Sequence, residues 1–195
     1  MIDLLLAGQT YWIIARATGV ASLVALSLSM LTGMAMRPKS LGWLSTNRAV
    51  SELHSYATVL WLPLGLAHVI ALLLDPYSKV GLVDLLVPFV MPYGAFAIGL
   101  GTVSLQLVFV VIVAAWSRSR LSRGQWLAFH RLSYLAFAAA FLHGVLSGTD
   151  LAYPWLLGSA WLVAAILVLA GARRIGHAIG RGRGQAVGVP TSVPS

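Results

Sequence analysis

The chain has 195 residues, 59% of them hydrophobic and only 9% charged, with a mean hydropathy of +0.87. A soluble domain needs roughly 25% charged residues to keep its surface wet, so this composition requires lipid as solvent and leaves room for one compact bundle, not for a bundle plus a nucleotide-binding domain of ~100–150 residues. Cysteine is absent, which excludes disulfides, cysteine-ligated iron–sulfur clusters and covalent haem on C-x-x-C-H, and the net charge of +8 does not indicate nucleic acid, because the basic residues are segregated by membrane side.

Five apolar stretches are long enough to cross ~30 Å of hydrocarbon as helices, near 10–33, 50–74, 94–116, 125–148 and 153–172. The expected fold is therefore all-α, a bundle of about five transmembrane helices. Met1-Ile2-Asp3-Leu4 lacks the basic start of a cleaved signal, so the first stretch is expected to be retained. The breaks carry turn-forming residues: Arg37-Pro38-Lys39, Asp75-Pro76-Tyr77, Arg118 to Gly124, and Gly148-Thr149-Asp150. Residues 78–93, interrupted by Pro88 and Pro92, are too broken to span and are expected to lie at one interface or dip back over the bundle. The first 175 residues read as the membrane domain and 176–195 as a basic, disordered tail.

Charge sets the expected orientation. Arg37, Lys39 and Arg48, then Arg118, Arg120 and Arg123, then Arg173, Arg174, Arg181 and Arg183 fall on one side; Asp3, Asp75, Asp84, Asp150 and Lys79 fall on the other. The positive-inside rule puts the N-terminus outside and the C-terminus in the cytoplasm, which for a bacterial chain means the cytoplasmic membrane. Trp12 and Trp155 mark the outer boundary, and Trp43, Trp116 and Trp126 the inner one.

Four of the five histidines lie inside spans. His54 and His68 (68 − 54 = 14) are on the second helix, His130 and His143 (143 − 130 = 13) on the fourth. At ~1.5 Å per residue each pair reaches from one leaflet toward the other. The second and fourth helices run parallel, so His54 is level with His130 in the inner half and His68 with His143 in the outer half. Two imidazoles from facing helices at each level suit an iron held on both axial sides. A relay carrying protons or metal ions is the rival reading, and it calls for acidic partners within the spans; only Glu52 lies near one. Structural zinc needs four close ligands and each level offers two. Thirteen residues leave His143 roughly 140° round the helix from His130, so a π-bulge, a kink or a tilt of the bound groups is expected to absorb the offset.

With these pairs, Trp126-Leu127-Ala128-Phe129-His130-Arg131-Leu132-Ser133-Tyr134 resembles a W-x-x-x-H-R-x-x-Y element, and His143-Gly144-Val145-Leu146-Ser147-Gly148-Thr149-Asp150 an H-G-x-x-x-G-x-D ending. Over residues 10–172 the chain is similar to the ferric reductase-like transmembrane domain, shared by ferric reductases, NADPH oxidases and the haem-binding membrane subunit of bacterial methionine sulfoxide reductase. The resemblance implies two stacked b-type haems with bis-histidine ligation and movement of electrons across the membrane. No G-x-G-x-x-G on a strand is found, so the donor is expected to be a separate flavin reductase or a quinol. The acceptor is left open among ferric iron, oxygen, quinone and a periplasmic redox partner. A single-haem subunit of a methionine sulfoxide reductase-like system is the alternative within the family.

Two arginines have candidate roles beside the haems. Arg131 follows His130, and a haem propionate would satisfy its charge, with snorkelling to phosphates as the other reading. Arg16, ~9 Å into the first helix, has the same two readings at the outer level. Arg48 and Glu52 read as a helix-end ion pair. Phe137 and Trp61 lie midway between the levels and read as core, as do Gly65 and Gly144 at helix contacts. His177 reads as a headgroup-facing residue, not a ligand.

Overall fold

A chain in lipid has no water to bond its backbone, so it satisfies its N–H and C=O groups within helices. The computed structural model of the chain describes residues 2–36 and 47–187, with side chains for 9–36 and 47–173; it is all-helical, with no strand among the described residues. In order the elements are α1 (Ile2–Ala35), α2 (Arg48–Leu74), a short α3 (Leu82–Leu86), α4 (Ala95–Trp116), α5 (Arg123–Ser147) and α6 (Pro154–Val187). Single 3-10 turns occupy Arg118–Arg120 and Asp150–Ala152. Five stretches are long and apolar enough to cross a membrane: Gln9–Ala35, Arg48–Leu74, Ala95–Trp116, Arg123–Ser147 and Pro154–Arg173. These are the five segments that hydropathy predicts. α1 begins earlier than expected, and α6 runs on as helix to Val187, into the segment read as a tail. Residues 37–46, including Arg37, Lys39 and Trp43, and the side chains of Asp3, Arg174, His177, Arg181 and Arg183 lie outside the described residues.

Helix starts follow from capping. Asn47 accepts the Ala49 N–H at 2.9 Å, and Ser122 and Gln125 close a reciprocal capping box at the head of α5, each satisfying donors that the first turn leaves over. Arg48 Nε donates to Glu52 Oε1 at 2.6 Å, the expected helix-end pair. The alternation of helices gathers Arg48, Arg118, Arg120 and Arg123 at one end of the bundle and Asp75, Asp84 and Asp150 with Lys79 at the other. These are called the basic and acidic ends below.

Packing divides the bundle into two antiparallel hairpins, α1 with α2 and α4 with α5, joined through α1 and α5. Lipid tails are as apolar as leucine, so helices associate through close approach rather than hydrophobic burial. Many buried positions are correspondingly small, among them Ala15, Ala25, Ala57, Ala71, Ala136 and Ala139. Hydroxyls tie each hairpin, with Ser22 Oγ donating to Trp61 O at 3.3 Å and Ser104 Oγ to Ala136 O at 2.8 Å. Between the hairpins, Leu26, Met30 and Met34 of α1 cluster with Phe137 and Phe141 of α5 and Leu167 of α6, with Trp61 packed against them. Phe137 thus belongs to the core, stacked on Phe141. Gly65 and Gly144 admit Ser22 and Leu23 of α1, respectively, as ordinary helix contacts. The two histidine-bearing helices, α2 and α5, are each packed on their own hairpin partner and make no principal contact with one another.

Residues 78–93 dip back along α4. Thr102 Oγ1 donates to Asp84 O at 2.7 Å and Gln106 Nε2 to Leu86 O at 2.8 Å, about 10 Å and 16 Å along the helix from its first residue. The carbonyls that so short a helix leaves over at its last turn persist at that depth only where protein satisfies them, and these two side chains do so. Phe89, held at φ +67°, lies against Gly99, where a Cβ would come within 2.7 Å of the Phe89 nitrogen; no larger residue fits there. Ser78 closes the segment, donating to Leu72 O at 2.6 Å and accepting at its carbonyl from the Tyr93 hydroxyl. Burial, with Asp75 and Asp84 nearby, raises the Tyr93 phenol above its ordinary range, so it stays a donor. Replacing Gln106 with leucine is expected to strand the Leu86 carbonyl and cost about 1–3 kcal/mol, measured as a lower melting temperature in detergent.

Candidate functional site

His54 and His68 of α2 both turn toward α1. The His68 Nδ1 lies 2.7 Å from Ala15 O, and the His54 Nδ1 lies 2.8 Å from Ser29 O. On α5, the His143 Nδ1 lies 2.8 Å from Ala97 O of α4. A carbonyl only accepts, so all three rings carry a proton on Nδ1, and it is Nε2 whose lone pair a neutral ring would offer to a ligand. The hydroxyls around His54 agree. Thr58 Oγ1 donates to His54 O at 2.7 Å, so Ser29 Oγ must donate to Thr58 Oγ1, 2.7 Å away. Ser29 Oγ then has only an acceptor to offer the His54 Nδ1–H at 3.3 Å. Imidazole fixed by Nδ1–H on a backbone carbonyl is the arrangement that orients metal-binding histidines and leaves Nε2 to the metal.

Each carbonyl is followed four residues later by glycine: Ala15 by Gly19, Ser29 by Gly33, Ala97 by Gly101. In an α-helix the carbonyl of residue i points at the N–H of i+4, so a ring that reaches that carbonyl lies against residue i+4. A Cβ on Gly19 would come within 2.8 Å of His68 Nδ1, and one on Gly101 within 2.9 Å of His143 Nδ1. A Cβ on Gly33 would meet His54 Cε1 at 3.0 Å and Nδ1 at 3.2 Å. The glycines are the clearance that lets three histidines dock on neighbouring helices.

At the acidic end the rings of His68 and His143 come together between the two hairpins in an edge arrangement, with centroids 6.3 Å apart and planes at 71°. Two Fe–N bonds of about 2 Å in line with rings whose centres lie ~1.1 Å from the nitrogens place the centroids about 6 Å apart. The separation therefore fits one hexacoordinate iron between the two imidazoles. No cluster of three or more His, Asp and Glu occurs among the described residues.

The basic end is built differently. His54 is anchored to Ser29 as described, whereas His130 stacks on Trp126 one turn earlier on its own helix, with centroids 4.9 Å apart and planes at 9°. The Arg118 guanidinium lies over the same tryptophan, 4.5 Å from a ring centre. Helix α5 is uninterrupted α-helix from Arg123 to Ser147, so no π-bulge absorbs the 13-residue offset (143 − 130). The offset is expressed in contacts instead, His143 reaching α4 and His130 lying along α5.

Arg131 is exposed on α5. Arg16 has a protein partner: its Nε donates to Asp150 Oδ2 at 2.8 Å and its Nη2 to Asp150 Oδ1. Donation from Arg16 holds the Asp150 carboxyl below the ordinary carboxylate range, against the effect of burial. The pair therefore persists as pH falls through the usual carboxylate range and is lost only at the depressed value. Gly19, Gly33, Gly101 and Ser29 have no role in the sequence reading of the site, and Asp150 enters it only as the last residue of the H-G-x-x-x-G-x-D run. The glycines carry a legible signal, since Gly19 and Gly33 stand as far apart as His54 and His68; the pairing of Asp150 with Arg16 carries none, the two lying 134 positions apart.

No family model, curated protein or solved structure matches the chain.

Proposed function

We propose that the chain is a transmembrane b-type cytochrome that holds two haems between its histidines and passes electrons from one side of the membrane to the other. The observation that carries this reading is the outer pair: His68 and His143, each tethered through Nδ1 to a carbonyl, come together with ring centroids 6.3 Å apart. His54 and His130, counted from the basic ends of α2 and α5, stand at matching depth and would hold the second haem. When bound, haem supplies reversible one-electron chemistry between ferric and ferrous iron. The protein's part is to hold neutral imidazoles in fixed planes, exclude water, and set the electrostatics around the ligands.

The tethers weigh against a proton relay. A relay histidine takes a proton on one nitrogen and gives it up from the other, and a backbone carbonyl cannot receive it. A single-haem protein is a second reading with an observation behind it, since only the outer histidines are seen ring to ring. The N-outside, C-cytoplasmic orientation in a bacterial membrane rests on the charge split between the two ends. A separate flavin reductase or a quinol as donor, and a periplasmic or small-molecule acceptor, remain parts of the same proposal.

The test is a reduced-minus-oxidised spectrum of purified, haem-supplied protein, which is expected to show b-type bands; their absence overturns the reading. A finer expectation concerns Arg118, whose cation lies over Trp126 and through it near His130. A nearby cation favours the less positive, reduced iron. For a water-accessible charge on the order of 10 Å away this amounts to at most about 0.5 kcal/mol, so Arg118→Gln is expected to lower one midpoint potential slightly and leave the other unchanged in a potentiometric titration.

A further inference from the structure

The tethers on His68 and His143 fix each ring within its own hairpin, one on Ala15 of α1 and the other on Ala97 of α4. They say nothing about the distance between the hairpins, and that distance decides whether two imidazoles can share one iron. The apolar contact between α1 and α5 runs from Leu23, against Gly144, to Met34, beside Phe137 and Phe141. Such contacts in lipid are non-directional and tolerate sliding. At the level of the outer histidines, a bidentate pairing of Arg16 with Asp150 ties the hairpins among the described residues. Arg16 follows Ala15, whose carbonyl anchors His68, and Asp150 lies just beyond Gly148, the cap of the helix that carries His143. A two-point guanidinium–carboxylate pair fixes angle as well as distance.

We propose that Arg16 and Asp150 form a clasp that sets the spacing of His68 and His143, acting as positioning residues for the outer site. This rests on the haem reading above for its consequence, although the clasp itself is a property of the chain. It also changes the assignment of Arg16. Its partner is a carboxylate of the chain itself, where sequence alone offered a propionate or phosphate.

The experiment uses the full chain, whose lack of cysteine lets spin labels be placed at Gln9→Cys on α1 and Leu146→Cys on α5. The inter-label distance is read in haem-free protein, and the haem-to-protein ratio and low-spin ferric signals in haem-supplied protein. Arg16→Gln and Asp150→Asn are each expected to broaden the distance distribution, remove one low-spin signal and lower the haem ratio about two-fold, as expected when one of two bis-histidine sites empties. The reversed pair, Arg16→Asp with Asp150→Arg, is expected to restore the distance and the lost signal, and Arg16→Lys to restore them in part. Unchanged distances in Arg16→Gln and Asp150→Asn overturn the clasp. Haem loss confined to Arg16 variants, with no rescue by the reversed pair, also overturns it and assigns Arg16 to the haem itself. If wild-type protein takes up no haem, the haem reading fails while the label distances still decide the clasp.

Discussion

Gly101→Ala and Gly19→Ala are each expected to empty the outer site while leaving five helices in the membrane. The added methyl would sit 2.9 Å from His143 Nδ1 or 2.8 Å from His68 Nδ1, closer than carbon and nitrogen approach in folded proteins. The neighbour that must yield is an imidazole tethered to the carbonyl of the preceding turn. Its ring can move only by leaving that carbonyl, which forfeits the Nδ1–H bond and the aim of Nε2. Losing an outer-shell partner of this kind typically costs 10–100-fold in metal affinity, and here the ring is displaced as well. Gly33→Ala makes an internal control, because its methyl would stand 3.0 Å from Cε1 and 3.2 Å from Nδ1 of His54, a gap that a small ring shift relieves. The expected order of haem loss is therefore Gly19 and Gly101 first, Gly33 well behind, measured as haem bound per chain. Equal losses at all three would mean that the glycines serve helix packing in general and not ring clearance.

Replacing His68 has the second large expected effect, and its form depends on the substitute. His68→Ala leaves His143 tethered on Ala97 and opposite an empty place, so the haem-to-protein ratio is expected to fall from about two to about one, with the inner site spectrally unchanged. His68→Met returns a soft axial ligand of similar reach. Because methionine–histidine ligation raises potential relative to bis-histidine, this variant is expected to retain the second haem with a higher midpoint in a potentiometric titration. A His68→Met protein indistinguishable from His68→Ala would argue that the site cannot adapt to a different ligand length. A His68→Ala protein with full haem content would remove His68 from the ligand set.

Much of this was legible in the chain before any coordinates. Five spans follow from runs of apolar residues bounded by Arg-rich or Asp-Pro breaks, because lipid leaves a spanning segment few alternatives to a helix. The pairing of His68 with His143 follows from parity, since one intervening helix makes α2 and α5 parallel. The sequence allows residues 78–93 either to lie flat or to dip back; the choice depends on Thr102 and Gln106 donating to the carbonyls of Asp84 and Leu86, a three-dimensional match with no local signature. Gly19 and Gly33 repeat the spacing of His54 and His68, but the chain has 19 glycines and their role appears only when α1 lies antiparallel on α2. Arg16 was recognisable as a charge needing a partner; Asp150, 134 positions away in the chain, was not recognisable as that partner. The stacking of Trp126 on His130 was the most local feature, an i, i+4 pair on one helix, and it gives the tryptophan of W-x-x-x-H a physical function.

The central claim is that four histidines hold two haems, and the most direct measurement is a pyridine haemochromogen titration of the purified, haem-supplied protein, with haem counted against protein by amino-acid analysis. Two haems per chain, falling to one in His68→Ala and to one in His54→Ala, is the predicted result. A ratio near zero contradicts the claim outright, and a ratio of one that is unaffected by His54→Ala contradicts the inner half of it.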